Sequence, residues 1–214
     1  CLLILLAVSL NPVMPAQEAT AKPTAGKPVA DELQATTGVI YKTIGEIELR
    51  LYLFFPKGHH TAEARPAAVF YFGGGWNGGS TEQFKPQARY LASRGMVTAV
   101  CDYRVKKRHG TDPFACVADG KSAIRWLRNN ASRLGVDPKR IAAGGGSAGG
   151  HVAATTGIIP GLEEQGEDTA ISSKADALLL FNPVFDNGPD GYGYNRVKKR
   201  YREISPLHNI AEGA

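Results

Sequence analysis

The sequence predicts an α/β protein: a mostly parallel sheet with helices on both faces, preceded by an antiparallel strand pair. Three observations carry this. Ala67-Ala68-Val69-Phe70-Tyr71-Phe72, Met96-Val97-Thr98-Ala99-Val100-Cys101 and Ala175-Asp176-Ala177-Leu178-Leu179-Leu180-Phe181 are apolar through their middles, the pattern of strands covered on both faces. Segments with helix-period apolar positions separate them. Two glycine-rich runs, Gly73-Gly74-Gly75-Trp76-Asn77-Gly78-Gly79 and Gly144-Gly145-Gly146-Ser147-Ala148-Gly149-Gly150, follow apolar strand patterns. That places both at the carboxyl ends of strands, where open α/β sheets bind ligands.

In chain order, Gly38–Lys42 and Ile47–Phe54 alternate polar with apolar residues and read as a half-buried antiparallel pair joined near Gly45. Pro56 to Pro66 is a loop before the strand at Ala67. Thr81 to Ser93 carries helix-period apolar positions and is stopped by Gly95. The strand from Met96 is closed by Asp102-Tyr103-Arg104. Asp112-Pro113 opens a long helix whose stripe of Val117, Ile124, Trp126 and Leu127 extends to about Leu134, with Gly135-Val136-Asp137-Pro138 as its stop. A short strand then enters Gly144, a helix runs from Ala148 to about Gly157, and after a polar loop Ala175–Phe181 forms one more buried strand. The remainder is irregular and basic, with a short helix near Ser205.

The 214 residues suit one domain, and 43% apolar and 21% charged residues are ordinary for a globular chain. The net charge of +5 is mild; its two dense runs, Arg104–Arg108 and Arg196–Arg202, read as solvated surface and not as a nucleic-acid site. Residues Cys1–Leu10 form an apolar block too short to span a bilayer, followed by small residues with an A-x-A cleavage site at Ala19-Thr20-Ala21 and a second candidate at Ala16. The expectation is a signal segment at 1–21 without its positive start, a Pro/Ala/Thr/Gly linker at 22–36, and one domain at 37–214 that is secreted or periplasmic with no stable membrane anchor. Cys101 and Cys116 are left open between a disulfide and two buried thiols.

Gly145-Gly146-Ser147-Ala148-Gly149 fits G-x-S-x-G, in which a serine is held exposed on a strained strand-to-helix turn. An N–H at the helix start favours negative charge developing there. The Gly73-Gly74-Gly75-Trp76 loop would bring further N–H groups to the oxyanion. No nucleotide motif fits either glycine run, and no metal site is expected. Trp76 and Tyr103 are candidates to line the pocket, with a core position open for each.

By these residues the chain resembles the α/β-hydrolase superfamily, within it the hormone-sensitive-lipase-like and bifunctional feruloyl/acetyl-xylan esterase-like enzymes. The resemblance spans about Val39 to Pro206 and rests on Gly73-Gly74-Gly75-Trp76, Asp102-Tyr103-Arg104, Ser122-Ala123-Ile124-Arg125-Trp126-Leu127, Asp137-Pro138-Lys139-Arg140-Ile141 and Gly146-Ser147-Ala148-Gly149-Gly150-His151. It implies the α/β-hydrolase fold, Ser147 as nucleophile, Gly74, Gly75 and Ala148 as oxyanion donors, a small-molecule or carbohydrate ester as substrate, and no cofactor. The chain departs in having Phe72 where the family commonly has histidine.

It departs further in the catalytic base and acid, which the superfamily carries after later strands. His59, His60 and His109 precede the elbow, and His151 lies on the helix after it. His208, with Asp186 or Asp190 before it, has the right order but would compress two strand–helix units into a loop. The expectation is that the last strands, with acid and base, lie beyond Ala214, and that the 214-residue chain alone is inactive, with one sheet edge uncovered. A serine peptidase of the same fold and a non-catalytic hydrolase-like binding protein are the alternatives.

Overall fold

A computed structural model describes residues 38–211; the expected signal and linker, residues 1–36, lie outside the described residues. Six strands form one sheet: β1 (Val39–Ile44), β2 (Ile47–Phe54), β3 (Arg65–Tyr71), β4 (Val97–Cys101), β5 (Val136–Ser147) and β6 (Ala177–Pro183), in the order β1-β2-β4-β3-β5-β6. The alternating pair β1–β2 is antiparallel and turns at Gly45 with φ +57°; β2 also pairs antiparallel with β4. From β4 to β6 every pairing is parallel. The parallel crossovers are made by α1 (Lys85–Ser93), α2 (Pro113–Asn129) and α3 (Ala148–Ile158). The long helix expected to reach Leu134 breaks at Asn130, and a separate turn covers Ala131–Leu134.

Side-chain alternation along the strands splits the core into two layers. Ala68, Phe70, Val100 and Ala142 meet α1 through Phe84 and Ala88, while Val69, Tyr71, Cys101, Ile141 and Ala143 face α2 and α3 through Ile124, Leu127 and Val152. A strand with both faces covered takes a polar side chain only where it finds a partner, as Thr98 does in donating to the Ala88 carbonyl at 2.8 Å, so these strands read as nearly continuous apolar runs. β6 differs from expectation. Leu178, Leu179 and Leu180 are only half-buried and Phe181 is exposed, because β6 is the sheet edge among the described residues. Cys101 and Cys116 are both buried free thiols, which closes the disulfide alternative.

The polar loop after α3 is tied down by charge. Fully buried Asp119 on α2 receives Lys42 Nζ of β1 at 2.8 Å and the Arg104 guanidinium at 2.8 Å, and both cations also reach Glu164 of the loop. Arg125 of α2 holds Glu163 and Glu167 in the same way. Each charge is paired, the condition under which burial of ions is tolerated.

Candidate active site

The chain order of the strands reverses beside β3: the path runs from β3 outward to β4, then returns to β5 on the other side. A crevice opens at the carboxyl ends of the strands at such a point. Parallel pairing sets Tyr71 against Gly145, so two residues further along Gly73 and Ser147 leave the sheet side by side. A Cβ built on Gly73 would stand 3.3 Å from Ser147 Cβ and 2.9 Å from the Gly146 carbonyl oxygen. Two loops distant in sequence are thus brought together by register alone.

Ser147 lies at φ 53°, ψ −121°, a region costly for any side chain. The side chain is exposed, and its hydroxyl has no hydrogen-bond partner among the described residues. The turn is kept by its glycine neighbours. A Cβ on Gly145 would come within 2.6 Å of the Tyr71 carbonyl oxygen and of Gly149, so the strand and the first turn of α3 meet backbone to backbone. Ala148 opens that helix, and its N–H has no intrahelical acceptor.

In the facing loop the N–H groups of Gly74 and Gly75 make no hydrogen bond among the described residues, whereas the Gly73 N–H donates to Gln83 Oε1 at 2.5 Å. Gly74 and Gly75 take φ +134° and +60°, which only glycine adopts freely. The loop is pinned by Asn77 N–H and Gly78 N–H to the Gly74 carbonyl and by Lys106 N–H to the Trp76 carbonyl. The register therefore brings the loop of the predicted donors beside the predicted nucleophile.

The candidate pocket residues Trp76 and Tyr103 take the core position left open for each. Both are buried, at 1% and 0% exposure. The Tyr103 ring stacks on Phe72 at 4.1 Å and its hydroxyl donates to the Phe72 carbonyl at 2.5 Å, so it props the strand end from beneath. Phe72, at the position where the resembled family commonly has histidine, completes that stack.

Trp76 packs edge-on against His151, and its indole N–H donates to His151 Nδ1 at 3.3 Å. An indole can only donate, so Nδ1 accepts and Nε2 carries the proton it gives to the Ile204 carbonyl at 2.9 Å. His151 is a neutral strut with both nitrogens engaged. Burial pushes its pKa down to about 4, against the opposing pull of the Ile204 carbonyl and Asn187. Above pH 6.5 folded and unfolded forms are both neutral; below it the unfolded chain binds a proton the folded one refuses. Stability is therefore expected to fall by about 3 kcal/mol between pH 6.5 and about 4 through this group alone. The urea midpoint measured against pH checks this: His151→Gln should flatten the decline in that window, and an unaltered acid limb would refute it.

The other histidines stand elsewhere. His59 is buried near the start of β5, bonded to Glu63 at 2.9 Å and to the Leu134 carbonyl at 2.8 Å. His109 Nδ1 accepts the Val105 N–H at 3.0 Å. Asp186 and His208 do approach, at 3.6 Å, but His208 Nδ1 is 2.9 Å from Ser205 Oγ and among the described residues no hydrogen bond joins either side chain to the Ser147 hydroxyl. A cavity of about 460 Å³ lined by Lys121, Thr156, Ile159 and Lys174 sits at the far end of α3, a helix length from the serine. Among the described residues no group of His, Cys, Asp and Glu could hold a metal, and no helix is long and apolar enough to cross a membrane.

Sequence reasoning missed Gln83, Tyr192 and Arg196. Ser80-Thr81-Glu82-Gln83 has the spacing of a capping box, which would send Gln83 back to its own helix start. Instead Ser80 caps alone and Gln83 crosses to Gly73. Arg196 hydrogen-bonds the Gly75 carbonyl and lies over the Trp76 ring at 5.7 Å, with Tyr192 tilted against the same ring at 5.7 Å.

A family model described as BD-FAE matches residues 51–187, more than half of the chain. Carboxylesterase NlhH of Mycobacterium tuberculosis is 42% identical over 92 residues, covering 42% of this chain and 28% of the relative. A probable isoprenylcysteine alpha-carbonyl methylesterase of Arabidopsis thaliana is 32% identical over 132 residues, 62% of this chain and 27% of its own. The matched stretch thus spans under a third of these curated relatives. Among solved structures, Thermogutta terrifontis esterase 2 phosphoramylated by tabun superposes with a TM-score of 0.79 at 47% identity, covering 83% of this chain and 67% of that one.

Proposed function

The chain belongs to the BD-FAE family of α/β-hydrolases, and from that membership we propose that it acts as a serine carboxylesterase through an acyl-enzyme on Ser147. One observation supports this above the rest: an exposed serine in a strained conformation, with a glycine loop bearing unpaired N–H groups against it. Strain of that kind persists only where surrounding structure holds it.

In this reading Ser147 Oγ attacks the ester carbonyl carbon and its proton passes to a general base. The carbonyl oxygen, now negative, is received by the N–H groups of Gly74, Gly75 and Ala148, with Gly73 excluded because Gln83 occupies its N–H. The tetrahedral intermediate collapses, the alcohol leaves with a proton from the base, and water repeats the cycle to release the acid. His151 is consumed structurally and no other described histidine bonds Ser147, so no described residue is assigned as the base or its orienting acid. The substrates proposed are small acyl or carbohydrate-linked esters. The apolar block at Cys1–Leu10 and Ala19-Thr20-Ala21 support a secreted or periplasmic location.

The related esterase 2 is described as phosphorylated by paraoxon, so a phosphorus electrophile is a suitable probe. A fluorophosphonate incubated with the full-length protein is expected to label the peptide containing Ser147, read by mass spectrometry. Labelling requires an activated hydroxyl. An unlabelled Ser147 in folded protein would favour the non-catalytic binding reading instead.

A further inference from the structure

The two basic runs that read as solvated surface in the sequence converge on the glycine loop. Lys106 and Lys107 give their backbone N–H groups to the Trp76 and Asn77 carbonyls, and the Lys107 stem lies against Gly78, its Cδ 3.9 Å from a Cβ built there. From the other run, Arg196 donates to the Gly75 carbonyl. In the same runs Arg104 is paired with Asp119, Arg108 with Asp102 and Arg200 with Glu203, while Lys106, Lys198, Lys199 and Arg202 have no ion pair among the described residues and make no contact with the Gly75 side of the loop through their side chains. Lys107 and Arg196 have no acidic partner among the described residues, and no ion pair joins Arg196 to Asp186, Asp190 or Glu203.

Two polar groups meet above Gly75. A Cβ built on it would be 3.1 Å from Tyr192 Oη and 3.6 Å from Arg196 Nη1. The phenol has no hydrogen-bond partner among the described residues, and one guanidinium N–H is spent on the Gly75 carbonyl, leaving the others. Both side chains are exposed yet placed, since each rests on the Trp76 ring that His151 holds. Gly75 is two residues from Gly73, which touches Ser147, so the chain separates them by at most about 7.6 Å.

We propose that Arg196 and Tyr192 form an anion subsite beside the nucleophile, and that the preferred substrates are esters bearing a carboxylate in their acyl or alcohol part. This rests on the reading of Ser147 as nucleophile. A planar guanidinium with free N–H groups and an adjacent phenol suits a carboxylate, which accepts two parallel hydrogen bonds and a third from the hydroxyl. Lys107, at the other end of the loop, adds to the attraction without fixing geometry.

The test compares kcat/KM of the full-length protein on matched pairs. Mono-4-nitrophenyl succinate against 4-nitrophenyl butyrate probes a carboxylate in the acyl part. O-acetyl galacturonate against O-acetyl galactose, read by acetate release, probes it in the alcohol part. The wild type is expected to favour the charged member of at least one pair, with a preference that shrinks as salt is added. Arg196→Gln should cut that preference about 10-fold or more, the size of a lost charge-assisted hydrogen bond, Arg196→Lys less, and Tyr192→Phe less again.

A residue that merely props the loop would lower both members of each pair equally. That result, or a wild type blind to charge in both pairs, overturns the subsite while leaving the esterase reading intact. Absence of turnover on the neutral esters counts against the esterase reading itself. Calorimetric titration with succinate and galacturonate then decides the subsite: binding lost in Arg196→Gln upholds it, and no binding or equal binding ends it.

Discussion

Ser147→Ala is expected to lower turnover of 4-nitrophenyl acetate by the full-length protein on the order of 10⁴-fold or more, the scale on which removing a nucleophile acts. The substitution isolates chemistry from folding. The Ser147 hydroxyl has no hydrogen-bond partner among the described residues, so its removal orphans nothing. Alanine at φ 53° costs about as much as serine there, so thermal stability should stay within experimental error. Ser147→Gly gives the complementary result. It removes the same nucleophile and relieves the positive φ, so it should abolish turnover while gaining roughly 0.5–1 kcal/mol of stability. An enzyme that loses its rate while gaining stability bears the mark of a strained site. Turnover in Ser147→Ala within tenfold of wild type would remove Ser147 from the mechanism, and with it the oxyanion roles given to Gly74, Gly75 and Ala148.

The parts legible in the sequence are those whose cause is local. Strands covered on both faces announce themselves as apolar runs, and G-x-S-x-G carries its own geometric demand because Gly145 and Gly149 meet within the turn. What was illegible depends on partners remote in the chain. Trp76 reads equally as pocket lining or core until His151, 75 residues away, takes its N–H. Arg196 reads as one charge in a basic run until it is found on the Gly75 carbonyl 121 residues earlier. Gln83 was hidden differently, since a local capping pattern accounts for it and is overruled by Gly73. β6 read as buried because its residues are apolar, and composition alone does not tell an inner strand from an edge.

The elbow supplies the second large effect, in which two physical contributions oppose. Gly149 lies in the first turn of α3, where helix propensity alone favours Gly149→Ala by up to about 1 kcal/mol. Packing says the reverse. The new methyl would sit 2.6 Å from the Tyr71 carbonyl carbon and closer still to the carbonyl oxygens of both Tyr71 and Phe72. These are backbone atoms at the end of a central strand, so no rotamer change makes room and α3 must move off β3. A cost of about 3 kcal/mol or more is expected, outweighing propensity, together with loss of turnover as Ser147 is carried away from Gly73. Gly157→Ala, at the other end of the same helix, is the control. Its methyl would be 3.0 Å from Leu178 Cδ2, a side chain of the edge strand that can yield, so propensity should win and the variant should be neutral or more stable. Urea unfolding of the two variants decides the matter. If Gly149→Ala unfolds at the same midpoint as Gly157→Ala, the close seat of the elbow helix on β3 is wrong, and so is the registration of Ser147 against the glycine loop.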